Sequence, residues 1–386
     1  MTGTPPAPQV DAVRNLAARW TAGLGGGDFV VSPVGLWLAL GAVASGARGR
    51  TGEELRALLG VEGEAAAEAV TSVGRRVAAM DGVAVATGVW STLPILEAFR
   101  RGLPEVRFGL LPRAVWFALP DEFFGATDDM SLGELPDFQE ELDAWVRAAT
   151  GGRIARLPVE LDGSEDLVLV NALALKASWA TAFPVHATRD EPFTDRFGDT
   201  RPVPTMRRRI PAGRVWYVDG VTVVELPCAG ERGVRVRCVL GAEGAGPAEV
   251  LPAAWAGPEA RRPLVADSAD LALPRFTLRT RTDAGAHLAA LGVTRALRPG
   301  ADFSGISAAD LYIAEVAQSA VVEVAEEGVE AAAVTQVTMT RSAAARRHEV
   351  TERIAFDRPF GVVVLDGDGE LPLFAGWRSG APGASV

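Results

Sequence analysis

The sequence predicts one large domain of the α+β kind, mixing helices and sheets. Three observations carry that prediction. The chain has 386 residues, 48% of them apolar, with a mean hydropathy of +0.16, enough for a sizeable packed core. Helical and strand-like periodicities alternate along its length without an internal repeat. No linker-like run divides it, so residues 1–386 read as a single unit, with 1–9 a flexible Pro-rich tail.

The elements follow in order. Over 10–24, Val13, Leu16, Ala17, Trp20 and Leu24 keep helical spacing, and Gly25-Gly26-Gly27 stops the helix. Phe29-Val30-Val31 is a short strand. Ser32 caps a second helix that Pro33 opens and that Leu36, Trp37, Leu40 and Val43 line. A third begins at Thr51 and carries Leu55, Leu58 and Leu59. A helix over 140–149 ends at Gly151-Gly152. Residues 167–175 form the apolar run of a strand buried on both faces. Strands are expected at 221–226, 234–240 and 270–278, then a helix around His287 and Leu291. Late strands are expected at 311–316, 320–324, 360–365 and 373–377.

Composition and motifs exclude several classes. With 38 basic and 49 acidic residues the net charge is −11, which disfavours nucleic acid and anionic membranes as partners. Arg207-Arg208-Arg209, the densest basic spot, reads as a solvated strand end or turn. Cys228 and Cys238 read as buried small hydrophobes. His186, His287 and His348 lack metal-ligand spacing, and no nucleotide-binding or hydrolase motif is present. No metal, cofactor or catalytic activity is therefore expected. Without a signal-peptide pattern or an apolar run of bilayer length, a soluble, cytoplasmic monomer is expected.

The informative stretch runs from 321 to 347. Read with period two, Val329, Ala331, Ala333, Thr335, Val337 and Met339 share one face, apolar or small. Glu330, Ala332, Val334, Gln336, Thr338 and Thr340 share the other, mostly polar. That is the pattern of a strand in a half-buried sheet. Yet its side chains are too small to anchor it in a core beforehand, and small enough to slide between two existing strands. Gly328 supplies a hinge through its backbone freedom, and the face ends at Arg341. The alternative is a plain Ala-rich surface connection, although long structureless loops are uncommon unless functional or disordered.

Here the sequence resembles the serpin family. Glu326, Glu327, Gly328, Val329, Glu330, Ala331, Ala332, Ala333, Val334 and Thr335 are similar to the family's hinge signature E-E-G-T-E-A-A-A-x-T. Phe29-Val30-Val31-Ser32-Pro33 resembles its entry to the second helix, and Leu169-Val170-Asn171-Ala172 with Lys176 and Trp179 its L-V-N-A-x-x-F-K-G-x-W stretch. Leu273-Pro274-Arg275-Phe276, Ala301-Asp302-Phe303-Ser304-Gly305-Ile306 and Asp357-Arg358-Pro359-Phe360 continue the likeness over roughly 350 residues.

The resemblance implies a serpin fold of three β-sheets and about eight to nine helices, with a hinge and exposed reactive-centre loop over 328–350. It implies an inhibitor that acts as a suicide substrate: a serine protease acylates the loop, which then inserts into the main sheet. Family members have about seventeen residues from the first hinge glutamate through the scissile residue, a spacing set by strand length. From Glu326 that count reaches Ser342 and makes Ser342–Ala343 the reactive bond, suited to a subtilisin- or elastase-like protease. A loop one residue shorter makes it Arg341–Ser342 and the target trypsin-like. Ser32, Gly35, Asn171 and Gln318 take the family's shutter positions and Trp179 its breach position. Gly35 and Gln318 depart from the usual Ser and His, and Val329 from Thr. A non-inhibitory member serving as a binding or chaperone-like module is the alternative; it would carry bulky or charged residues on the inward hinge face.

Overall fold

The computed structural model describes residues 8–111, 138–157, 161, 165–329 and 350–382. Among them are eight α-helical segments: α1 (Pro8–Ala22), α2 (Pro33–Ala44), α3 (Gly49–Leu59), α4 (Gly63–Ala78), α5 (Glu97–Gly102), α6 (Phe138–Ala149), α7 (Pro247–Val250) and α8 (Gly285–Leu288). The strands are β1 (Phe29–Val31), β2 (Val83–Ser91), β3 (Arg107–Leu110), β4 (Leu167–Leu175), β5 (Ala177–Ser178), β6 (Arg189–Thr194), β7 (Thr200–Pro211), β8 (Val215–Val218) and β9 (Val221–Pro227). They continue as β10 (Arg235–Leu240), β11 (Arg262–Pro263), β12 (Ser268–Pro274), β13 (Phe276–Asp283), β14 (Ile313–Val324), β15 (Gly328–Val329), β16 (Thr351–Ala355), β17 (Phe360–Leu365) and β18 (Pro372–Arg378).

Three sheets result. One runs β1-β18-β17-β10-β9-β8-β11 and a second β16-β12-β7-β6. The third, central sheet runs β3-β2-β4-β14-β15-β5, with β13 also on β14. Helix α2 shows why the core forms where it does. Every one of its residues is buried, as expected of a helix that is apolar all round. Pro33 starts it, and Ser32 Oγ accepts from Gly35 N at 3.1 Å, closing the N-terminal turn.

Strand β4 is buried along all nine residues, as its unbroken apolar run predicts. Leu167, Leu169, Leu173 and Leu175 join the main core, while Val168, Val170, Ala172 and Ala174 pack beneath α6 with Leu142 and Val146. Covered on both faces, the strand has no use for polar alternation.

Several expectations change. The strand expected over 270–278 is two strands in different sheets, β12 and β13. Pro274 cannot extend a donor ladder and the chain crosses over there. The separate strands expected at 311–316 and 320–324 are one, β14, because its polar middle is paired with β13 and β4 on both sides. Helix α1 begins at Pro8, inside the expected tail, α3 begins at Gly49, and α8 is shorter and earlier than expected. Arg207, Arg208 and Arg209 lie within β7 rather than at a solvated strand end. Arg207 pairs with Glu191 at 3.2 Å and also with Asp270, and Arg208 lies over the Phe183 ring. Cys228 and Cys238 are buried and unbridged, as expected.

Candidate functional site

The site is built around the seam between β4 and β14, which pair in parallel from Ile313↔Leu167 to Val321↔Ala174. Mid-seam, a polar row crosses the sheet: Thr87 on β2 opposite Asn171 on β4, Asn171 opposite Gln318 on β14, and Gln318 opposite Thr282 on β13. All of the expected shutter residues meet here. Gln318 Oε1 accepts from Ser32 N and its Nε2 donates to Ser32 O, both at 2.9 Å. Gln318 thus holds the backbone at the start of α2, while Ser32 Oγ donates to Leu373 O at 2.8 Å. Asn171 Nδ2 donates to Thr87 Oγ1 at 3.1 Å, but its buried Oδ1 has no partner among the described residues. Gly35 is the reason the Asn171 amide fits, because a Cβ at position 35 would collide with Oδ1. Thr87 was not foreseen; only strand register reveals it.

At the upper end of the seam the chain leaves β14 and turns back. Val324 pairs with Val329, and Gly328 and Val329 pair with Ser178 and Ala177. Val329 is wholly buried. Gly328 is not left-handed here; it is needed because a Cβ would strike Ala177 O. The expected hinge glycine is therefore a close-approach glycine in this conformation. Trp179 caps the turn, its Nε1 donating to Ala325 O at 2.8 Å and its N to Glu327 O at 2.9 Å.

Glu326 is buried beside it. Its Oε1 accepts from Thr188 Oγ1 at 2.6 Å and from Arg275 Nε at 2.7 Å. Burial opposes ionisation, yet the hydrogen bonds from Arg275 and Thr188 hold the Glu326 carboxyl below the usual carboxylate range. Arg275 and Thr188 lie too far away in sequence to be assigned to Glu326 by spacing. The remaining hinge residues Glu330, Ala331, Ala332, Ala333, Val334 and Thr335 lie outside the described residues, as do Arg341, Ser342 and Ala343.

A family profile described as serpin (serine protease inhibitor) matches residues 11–379. The chain belongs to the serpin family. This serpin is 31% identical over 335 residues to the leukocyte elastase inhibitor of Bos taurus, covering 80% of this chain and 82% of that protein. It is 27% identical over 345 residues to serine protease inhibitor 42Dd of Drosophila melanogaster, covering 88% of each. Among solved structures, Serpin48 of the insect Tenebrio molitor matches with a TM-score of 0.77 at 24% identity, covering 98% of this chain and 100% of that one. The three-sheet architecture is the serpin fold. Among the described residues no helix is long and apolar enough to cross a membrane, and no cluster of metal-ligating residues occurs.

Proposed function

We propose that this serpin inhibits serine proteases as a suicide substrate, its loop entering the β4–β14 seam after acylation. The observation that carries this reading is that β4 and β14 are neighbours and parallel. A strand returning antiparallel to β14 would be antiparallel to β4 as well. Insertion would replace one parallel ladder with two antiparallel ones, which are slightly more stable per residue and double the main-chain pairing.

The register supports the proposed length. Continuing Val324↔Val329 along β14 sets residues 329–340 opposite its 12 residues, Ile313–Val324. Val329, Ala331, Ala333, Thr335, Val337 and Met339 then face the main core, and Thr335 enters the row between Gln318 and Asn171. The slot ends at Thr340, so both candidate bonds, Arg341–Ser342 and Ser342–Ala343, fall just past it. An acylated protease would be carried about 40 Å along the sheet. The inward face holds only small, apolar or hydroxyl side chains, which favours an inhibitory member over a binding module.

For the target we propose a subtilisin- or elastase-like protease that cuts this chain at Ser342–Ala343, in keeping with the name of the bovine relative; cleavage after Arg341 would make it trypsin-like. We further propose one domain over the whole chain, a monomer acting in the cytoplasm without cofactor or catalytic turnover. Incubation with subtilisin, elastase and trypsin, followed by denaturing gels, tests the mechanism. A detergent-resistant band at the summed mass is expected, with a released peptide beginning at Ala343. Cleavage without any such band, and without a gain in thermal stability, would overturn it.

A further inference from the structure

Away from the seam, one buried carboxylate is outnumbered by the cations around it. Glu225 on β9 is 5% exposed and receives three guanidiniums. Arg214 Nη1 and Arg235 Nη1 both donate to its Oε1, at 3.0 and 3.3 Å. Arg237 Nε and Nη2 donate to its Oε2, at 3.0 and 2.9 Å. Burial opposes ionisation of Glu225, yet the charges of Arg237, Arg235 and Arg214 hold its carboxyl below the usual carboxylate range. One negative charge among three positive ones leaves an excess. Arg237 is itself buried, and its Nη1 donates to Ala254 O at 2.6 Å. Arg214 and Arg235 keep 41% and 37% of their side chains exposed. Both line a cavity of about 440 Å³ between the end of α4, the β9–β10 loop and the β17–β18 turn.

Two more arginines reach that cavity. Arg76 is committed: its Nη2 donates to Asp368 Oδ2 at 2.9 Å and also to Asp366, whose other oxygen accepts from Glu370 N and Leu371 N. Arg232 is held through its backbone, N donating to Asp81 Oδ2 at 2.8 Å and O accepting from Asp81 N at 3.3 Å. Its guanidinium has no partner among the described residues. Glu231, exposed, is the remaining carboxylate on the wall. We infer that Arg214, Arg232 and Arg235 form a binding site for a phosphate group, free or carried on a small ester. The guanidinium fork matches phosphate oxygens in pairs. A phosphate brings about two negative charges, the excess that three arginines on one carboxylate leave. The chain's net charge of −11 is screened beyond about 8 Å at physiological salt. It therefore opposes a long polyanion more than a small ion seated among three guanidiniums. The inference is independent of strand insertion.

The test is calorimetric titration of the uncleaved full-length protein with inorganic phosphate and, separately, with glycerol phosphate, against sodium chloride of matched ionic strength. One saturable site is expected for phosphate, with Tm rising as the site fills. Tighter binding of glycerol phosphate marks an ester as the ligand, and equal or weaker binding marks the free ion. Arg232→Gln removes a side chain that holds no other residue, and is expected to weaken binding about tenfold, the loss of one charge-assisted hydrogen bond. Glu231→Gln is expected to tighten it. Arg196→Gln, in the turn between β6 and β7 and outside this cavity, is expected to change nothing. No saturable heat with phosphate would overturn the inference. So would binding that Arg232→Gln and Arg214→Gln leave unchanged, or a loss in Arg196→Gln as large as in Arg232→Gln.

Discussion

Arg275 Nε donates to Glu326 Oε1 at 2.7 Å, so the residue at which β12 passes into β13 also holds a residue inside the turn that leaves β14. The tie joins the second sheet to the mouth of the central one, where a returning strand must enter.

Arg275→Ala leaves the Glu326 carboxyl buried without its cation. Arg275 is 42% exposed in its side chain, so screening keeps the loss toward the lower end of roughly 1–3 kcal/mol. Calorimetry of the uncleaved protein should show a lower Tm, with most of it regained in Arg275→Lys. Because the Glu326 carboxyl is held low, its contribution is present above the ordinary value of 4.5 and lost as pH falls below it. An unchanged Tm near pH 7 would mean that the pair contributes nothing to the closed state.

Gly35→Ser is expected to destabilise the protein by about 1–3 kcal/mol, since the new Cβ drives into Asn171 Oδ1. The denaturant midpoint reports it. Adding Asn171→Ala should recover part of the loss, and strict additivity of the two changes would contradict direct contact.

Under the proposed insertion, the register continued from Val324↔Val329 would set Thr335 in the buried row between Gln318 and Asn171. Thr335→Arg would force a charge into that row, where an unpaired charge is strongly disfavoured. The variant should be cleaved by the target protease at an unchanged rate while the covalent band disappears. A band of normal intensity would mean that the inserted strand takes another register.

Burial pushes both cysteine thiols up to about 12. Neither Cys228 nor Cys238 should react with iodoacetamide at about pH 8 in the folded protein, because the thiolate is the reactive form. Two adducts should appear by mass spectrometry once the chain is denatured. Labelling of the native protein would place a thiol at the surface.

Much was legible because it is local. The Ser32-Pro33 start of α2 and the apolar run of β4 follow from side-chain spacing over a few residues, as does the period-two expectation for 329–339, of which only Val329 lies among the described residues. The family likeness added the positions of Ser32, Asn171, Gln318 and Trp179, and the structure brings the first three together with Gly35 where α2 begins against the sheet. The reach of Gln318 to the α2 backbone was less legible, since Ser32 and Gln318 are 286 residues apart. The same holds for the arginines of β7, whose basic run resembles a solvated end until Glu191 and Asp270 are placed across from it.

By itself the sequence determined the capped start of α2 and a sheet strand buried on both faces, and it offered over 329–340 a strand-like pattern of which only Val329 lies among the described residues. Only the tertiary structure decided that β4 and β14 lie side by side in parallel, and that Glu326 is tied to Arg275 and Thr188 at the entrance. Strand neighbours and ion-pair partners are chosen by long-range packing, which leaves no periodic trace in the chain. Side-chain spacing could say that a segment is able to insert; which seam it would open depends on residues that meet only after folding.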